Sequence, residues 1–328
     1  GNLTQAGWAP YPVLDCNLED CHFYKLTPFQ KMRIKIWDYY AVTTADHFFS
    51  FTVSNIGYLG MIFAYVIDFK TGEYKEQTIS TLLGSGVHLP RSPLEGKTSY
   101  EKGDFRMVFE ALPGKRTVSV RWPGFAGKEL NAEFSLAQPQ DHESMTIVIP
   151  IRGKRFYYNH KLNCLPATGW VDYAGEHFEF TPTTALGNLD WGRGVWEYAS
   201  HWVWASCSGF LADQRRIGLN LGYGFGDTSA ASENAIILDG KVHKLGKMAF
   251  TFDPSDYNKP WKMVSPDGRL ELTFTPFKER IAKTDAGVIK SEVHQMFGRY
   301  NGWGITDSGE KIEIKEVIGW AEEHYAKW

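Results

Sequence analysis

The chain is poor in cysteine: Cys16, Cys21, Cys164 and Cys207 are all it has in 328 residues. Four thiols so spread out do not make a disulfide scaffold, and they suit a reducing, cytoplasmic setting. Cys16 and Cys21 lie close to His22, but a lone C-x₄-C-H is a weak motif. The 10 histidines include no H-x-H and no H-E-x-x-H, so no metal site is expected. No apolar run reaches the length of a membrane span, and GNLTQAGWAP at the start has no charged-then-apolar signal pattern. A net charge of −3, with no basic run interleaved with aromatics, gives no field that would gather nucleic acid. A G-x-S-x-G elbow and βαβ alternation are both missing, which argues against an α/β-hydrolase. The glycine-rich NLGYGFGD at 220–227 lacks the context of a dinucleotide loop and the Lys-Ser/Thr of a phosphate loop. It reads instead as a strand bend or a close approach to the backbone, and no cofactor is expected. Helical periodicity is scarce: one short helix is expected within 183–200 and another near 12–24.

What is abundant is aromatic and β-forming sequence. Aromatics make up 15% of the chain, with 12 Trp. MRIKIWDYYAV, HFFSFTVSNIG, FRMVFEAL, RTVSVRWPG and SMTIVIPI are rich in Val, Ile, Phe, Tyr and Thr, and turn residues separate them. The second half continues with HWVWASCSG, RRIGLNLGYG, KMAFTFD and KIEIKEVIGWAEEHY. Asp267-Gly268 marks a hairpin, and LDGKV at 238–242 and TDSGEKI at 306–312 mark two more. The pattern predicts an all-β chain of antiparallel meanders with few short helices. PIRGKRFYYNHKLNCLPATGW, around 150–170, is the natural junction, and predicts domains at 1–155 and 156–328. Two consecutive barrels would close the edges that so many strands expose. A single large sandwich competes with that arrangement. A propeller would need four or more regular repeats, which are not visible.

Several phrases together resemble one family: YYNHKLNCLPATGW, LDWGRGVWEYASHWVWASCSG, IGLNLGYGFGD, SENAIILDGKVHKL and HQMFGRYNGW, with GWAPYPVLD and IWDYYAV near the start. The chain resembles the domain of unknown function numbered 2804 over nearly its whole length. That family is distantly similar to tandem lipocalin-like proteins, among them carotenoid hydratases, tocopherol cyclases, Diels–Alderases and a sphingolipid-carrying survival factor. The resemblance implies two lipocalin-like barrels, large apolar substrates and no redox cofactor. The hydratases use a set of His, Trp, Tyr and Asp, and Asp190-Trp191 falls where such a motif is expected by analogy.

The densest stretch is LDWGRGVWEYASHWVWAS at 189–206. Asp190 and Arg193 stand among Gly192 and Gly194. They read either as an ion pair locking a turn or as a proton donor with its electrostatic partner. A carboxyl in an aromatic pocket is held protonated by desolvation, whereas an adjacent Arg favours the charged form. Strand alternation puts Trp202, Trp204 and Ser206 on one face and His201, Val203, Ala205 and Cys207 on the other, with the inward face undecided. At the junction, Asn159 and His160 suit orienting a substrate oxygen. Lys161 suits a carboxylate or an enolate, and a solvated linker is the plain reading of all three. Asp190, Arg193, His201, His160 and Lys161 are therefore the candidate catalytic groups. Trp191, Trp196, Trp202, Trp204, Tyr158, Asn220, Trp37 and Tyr39 are the candidate pocket residues. Asp38 and Tyr40 extend the aromatic–acid theme beside Trp37. Asp227, Glu233 and Asn234 are polar groups that need partners if buried. His294 and Gln295 point to opposite faces of one strand.

These residues suggest a cofactor-independent acid–base enzyme acting on a hydrophobic small molecule. It would be a hydratase or dehydratase, an isomerase or a cyclase. The alternatives are a carrier of lipid, terpenoid or pigment, and a carbohydrate binder stacking sugars on exposed indoles. No residue pattern sets an oligomeric state.

Overall fold

The computed structural model describes residues 2–12, 15–23, 30–285 and 287–328. In chain order the strands are β1 (Gly7–Ala9), β2 (Lys35–Thr43), β3 (His47–Asn55), β4 (Leu59–Asp68), β5 (Tyr74–Leu82), β6 (Gly96–Lys102), β7 (Phe105–Leu112), β8 (Lys115–Phe125), β9 (Lys128–Ala137), β10 (Met145–Ile151) and β11 (Arg155–Tyr173). They continue as β12 (Glu176–Phe180), β13 (Leu186–Gly194), β14 (Ala199–Phe210), β15 (Arg216–Tyr223), β16 (Ala235–Leu238), β17 (Lys241–Lys244), β18 (Ala249–Thr251), β19 (Trp261–Val264), β20 (Leu270–Asp285), β21 (Lys290–Ile305) and β22 (Lys311–Lys327). The protein is all-β. Among the described residues, helical structure is confined to one 3₁₀ turn, Leu18–Asp20, and to Gln30 and Lys31.

The chain divides into two compact units. One is built mainly from Tyr11–His142 and Tyr158–Val195, the other from Leu3–Pro10, Glu143–Tyr157 and Trp196–Trp328. The first unit carries an antiparallel path β5-β4-β3-β2-β13-β11-β9-β8-β7-β6. Its sheet curls on itself. β2 and β6 are far apart in that order, yet Thr98 of β6 donates to Asp38 of β2 at 2.7 Å. The Tyr40 and Phe109 rings of β2 and β7 meet at 5.0 Å. Asp38, Tyr40 and Phe51 therefore point into the curl, and the residues alternating with them point outward.

The second unit carries β17-β16-β15-β14-β22-β21-β20-β19-β18. It curls likewise, since Tyr223 of β15 and Phe250 of β18 meet at 5.5 Å. Its core gathers Val203, Ala205 and Cys207 with Leu219, Trp261, Met263, Phe274 and Met296. That settles the alternation in HWVWAS: the small-residue face points into the core and the tryptophan face points away. The three sequence-marked hairpins form as read, joining β16 to β17, β19 to β20 and β21 to β22.

The helix expected within 183–200 is absent. β13 occupies 186–194, every residue of it is buried, and β14 begins at 199. Gly187, Gly192 and Gly194 are turn-forming types, which disguises the strand as other structure. Near 12–24 only the 3₁₀ turn is described, and residues 13, 14 and 24 lie outside the described residues.

Candidate active site

DWGRG forms the second half of strand β13, where the sequence suggested a turn. β13 pairs with β2 residue by residue: Asp190 lies opposite Tyr39, Trp191 opposite Asp38 and Gly192 opposite Trp37. Cross-strand partners share a face, so Asp190, Tyr39 and Trp37 belong to the outer face and Trp191 to the inner one. Gly192 is required here because a Cβ would overlap the Trp37 indole. With that space free, Trp37 Nε1 donates to Asp190 Oδ1 at 3.0 Å. β11 supplies the other holders. Asn159 Nδ2 donates to Asp190 Oδ1 at 2.6 Å and to the Trp191 carbonyl at 3.0 Å. Lys161 Nζ lies 3.2 Å from Asp190 Oδ2, with side-chain exposures of 3% and 13% for the pair. All three partners of Asp190 are donors, an arrangement that satisfies a carboxylate.

Around this clamp the outer face is polar but incompletely bonded. Asn188 stands two residues before Asp190 on β13, and its row runs through Ala41 to Ser50. The Asp190 row runs through Tyr39 to Thr52. Asn159 Oδ1, Asn188 Oδ1, Ser50 Oγ and Thr52 Oγ1 are shielded from solvent and have no hydrogen-bond partner in the protein. Each such group costs about 1–3 kcal/mol when left unmet. Tyr39 lies between the two ends of its row, with its hydroxyl 3.0 Å from that of Tyr65.

The inner face of the same strands holds a second polar group. Trp191 packs edge-on against Tyr158 at 5.6 Å. Burial pushes the Asp38 carboxyl up to about 6, against the pull of Thr98 and Arg116. Burial and then the Arg116 charge hold His160 well below the usual imidazole range, so it is neutral. Arg116 in turn donates to the Tyr40 hydroxyl at 3.3 Å and to the Pro93 carbonyl at 2.6 Å. His160 and Lys161 are thus neighbours on one buried strand that face opposite ways, and neither belongs to a solvated linker.

The remaining candidates separate. Arg193 is not the partner of Asp190. Three residues apart on a strand, the two face opposite sides, and Arg193 bonds the Cys16 carbonyl at 2.7 Å and the Glu19 carboxylate. His201, Trp196, Trp202, Trp204 and Asn220 belong to the second unit. There Trp204 Nε1 donates to Asn220 Oδ1 at 2.8 Å, and Asn220 Nδ2 donates to the Glu233 carbonyl at 2.6 Å. Trp202 Nε1 donates to Glu322 at 3.3 Å, and His201 Nε2 lies 2.9 Å from Glu323. Trp196 packs on Tyr157 at 5.0 Å and on Trp328 at 6.2 Å. Asn188, Ser50, Thr52, Glu322 and Glu323 were not singled out from the sequence. For Ser50, Thr52 and Asn188 the available signal was a small polar residue at alternate positions of an otherwise apolar strand. One groove of about 690 Å³ runs past Thr81, Tyr100 and Phe105, and one of about 620 Å³ past Trp303 and Ile314. Neither is lined by a residue predicted from sequence. All four cysteines are free thiols. Among the described residues no cluster of His, Cys, Asp and Glu is arranged to hold a metal, and no helix is long and apolar enough to cross a membrane.

The model of the family described as a domain of unknown function, DUF2804, matches residues 1–328. Among solved structures, the chain is similar to the AttH candidate of Nitrosomonas europaea, at 14% identity and a TM-score of 0.55, covering 89% of this chain and 92% of that one. It is similar as well to CghA solved with Sch210972, at 11% identity and a TM-score of 0.54, covering 90% and 88%. At these identities the likeness is one of fold alone.

Proposed function

We propose that this chain, which belongs to the DUF2804 family, is an enzyme that moves protons on a hydrophobic small molecule by acid–base chemistry, with Asp190 and Lys161 as the reacting pair. One observation carries the reading: a carboxylate held by Trp37, Asn159 and Lys161 on a buried face where neighbouring polar atoms lack partners. Structural ion pairs are normally surrounded by satisfied groups. In the dehydration direction Asp190 takes a proton from carbon, and that electron pair forms the double bond. The departing oxygen receives a proton from the Lys161 ammonium and leaves as water. Hydration runs the same steps backward. Trp37 and Asn159 hold the carboxylate in place, and Tyr39 forms the floor beside it. A fold relative, CghA, has been solved with Sch210972, and a bound ligand on this fold accords with the reading.

Carriage without turnover uses the same face and differs only in chemistry. Sugar stacking draws no support from Trp191, Trp196 and Trp204, which are buried. The test uses Asp190→Asn as a trap. Small molecules released from the purified variant are identified by mass spectrometry and offered to the native protein. Conversion by gain or loss of one water, or to an isomer of equal mass, supports the enzyme. A molecule retained and returned unchanged leaves a carrier.

A further inference from the structure

The unmet polar atoms around Asp190 specify what a ligand must bring. Asn159 is the firmest of them. Its amide donates to two acceptors, Asp190 Oδ1 and the Trp191 carbonyl, so the orientation is fixed and Oδ1 is left as an acceptor without a donor. The residue is wholly buried. Asn188, on the same face and two residues from Asp190, is 3% exposed, and its Oδ1 has no partner either. Thr52 adds a third unmet group at the far end of the Asp190 row, across the Tyr39 ring. Carbonyl and ether oxygens cannot satisfy Asn159 Oδ1, and a hydrocarbon satisfies none of the three.

Building on the acid–base reading of this face, we infer that the ligand is an apolar molecule with at least two hydroxyl or N–H groups at its buried end, one donating to Asn159 Oδ1 and another engaging Asn188. A bare hydrocarbon is excluded, and a hydroxyl beside Asp190 makes addition or removal of water the favoured reaction among those the pair can perform. The atoms balance: the oxygen that leaves carries its own proton plus one from Lys161, and Asp190 keeps the proton taken from carbon.

The test pairs two substitutions with a matched pair of probes, trans-1,4-cyclohexanediol and cyclohexane. In Asn188→Leu and Thr52→Val an unmet polar group gives way to an apolar one of similar size. If these groups serve a ligand, thermal unfolding of both variants occurs at or above the native temperature. Diol binding, followed by saturation-transfer NMR, weakens by about tenfold in Asn188→Leu, the loss of one hydrogen bond. Cyclohexane neither binds in competition with the diol nor responds to the substitutions. Unfolding several degrees lower means that the groups are bonded within the protein, and overturns the inference. Unchanged diol binding means that they hold only buried water, and equal binding of cyclohexane means that donors are not selected. Either result overturns it, as does a native protein that ignores the diol. The Asp190→Asn trap depends on neither substitution nor probe, so acid–base turnover stands or falls separately.

Discussion

Asp190 has donors on every side and no acceptor, so removing the carboxylate leaves Lys161, Trp37 and Asn159 unsatisfied at once. Asp190→Ala is expected to lower stability by about 3–5 kcal/mol, as breaking a buried ion pair does. Asp190→Asn retains shape and one acceptor, and is expected to lose less stability while losing all turnover. Urea unfolding of the two variants checks the order, and equal losses would mean that the clamp contributes little. Asp190 and Lys161 were legible in the sequence because charged groups in apolar, aromatic runs need a reason to be there. Their pairing was not. Arg193 is three residues from Asp190 and Lys161 is 29 away, so proximity along the chain favoured the wrong cation. Strand geometry reverses that choice, turning Arg193 to the far side toward Glu19.

Strand β13 does most of the positioning. It lies between β2 and β11, taking Trp37 from one and Asn159 with Lys161 from the other. Gly192 lets the three strands deliver these groups to one point. Gly192→Ala is expected to displace the Trp37 indole and cost about 1–3 kcal/mol in overpacking. The Trp37 bond to Asp190 would be lost with it. Trp37→Phe in the same background separates the two effects: with the indole gone, the added methyl group should cost measurably less in thermal unfolding. An equal cost in both backgrounds would show that Gly192 is needed for another reason. β14 teaches the converse lesson. Its two faces were correctly divided by alternation, but Val203, Ala205 and Cys207 take the core and Trp202 and Trp204 find bonded places on the opposite face. Bulk alone does not determine which face turns inward when both end up mostly buried.

For the whole molecule, the buried titratable groups set the dependence of stability on pH, and they pull in opposite directions. Asp38 has a folded pKa of about 6, above its ordinary 3.8, so its contribution is fully present below pH 4 and is lost as pH rises through 6. That loss amounts to about 3 kcal/mol. His160 is held well below 6.5 and His324 at about 3 by burial, so their contributions are present above 6.5 and are lost as pH falls. The native profile is the sum. Asp38→Asn isolates one part of it, because the amide can still accept from Thr98. The variant should match the native protein near pH 4 and exceed it increasingly up to about pH 7, read from unfolding midpoints at each pH. A constant difference between the two would remove Asp38 as the source of the slope.

The sequence by itself determined the β class, the hairpin turns and the residues whose chemistry stood out, because alternation, turn residues and charge in apolar surroundings are local properties. Tertiary structure alone decided which of those residues meet. Trp37, Asn159, Lys161 and Asp190 come from three strands, joined in an order that inserts β13 beside β2, and Trp37 and Asp190 are 153 residues apart. The sheet also sends His160 and Lys161, adjacent in the chain, to opposite faces. Local pattern gives each strand its two faces. Only the curl of the sheet and the register of its pairing say which face is inside and which side chains share it.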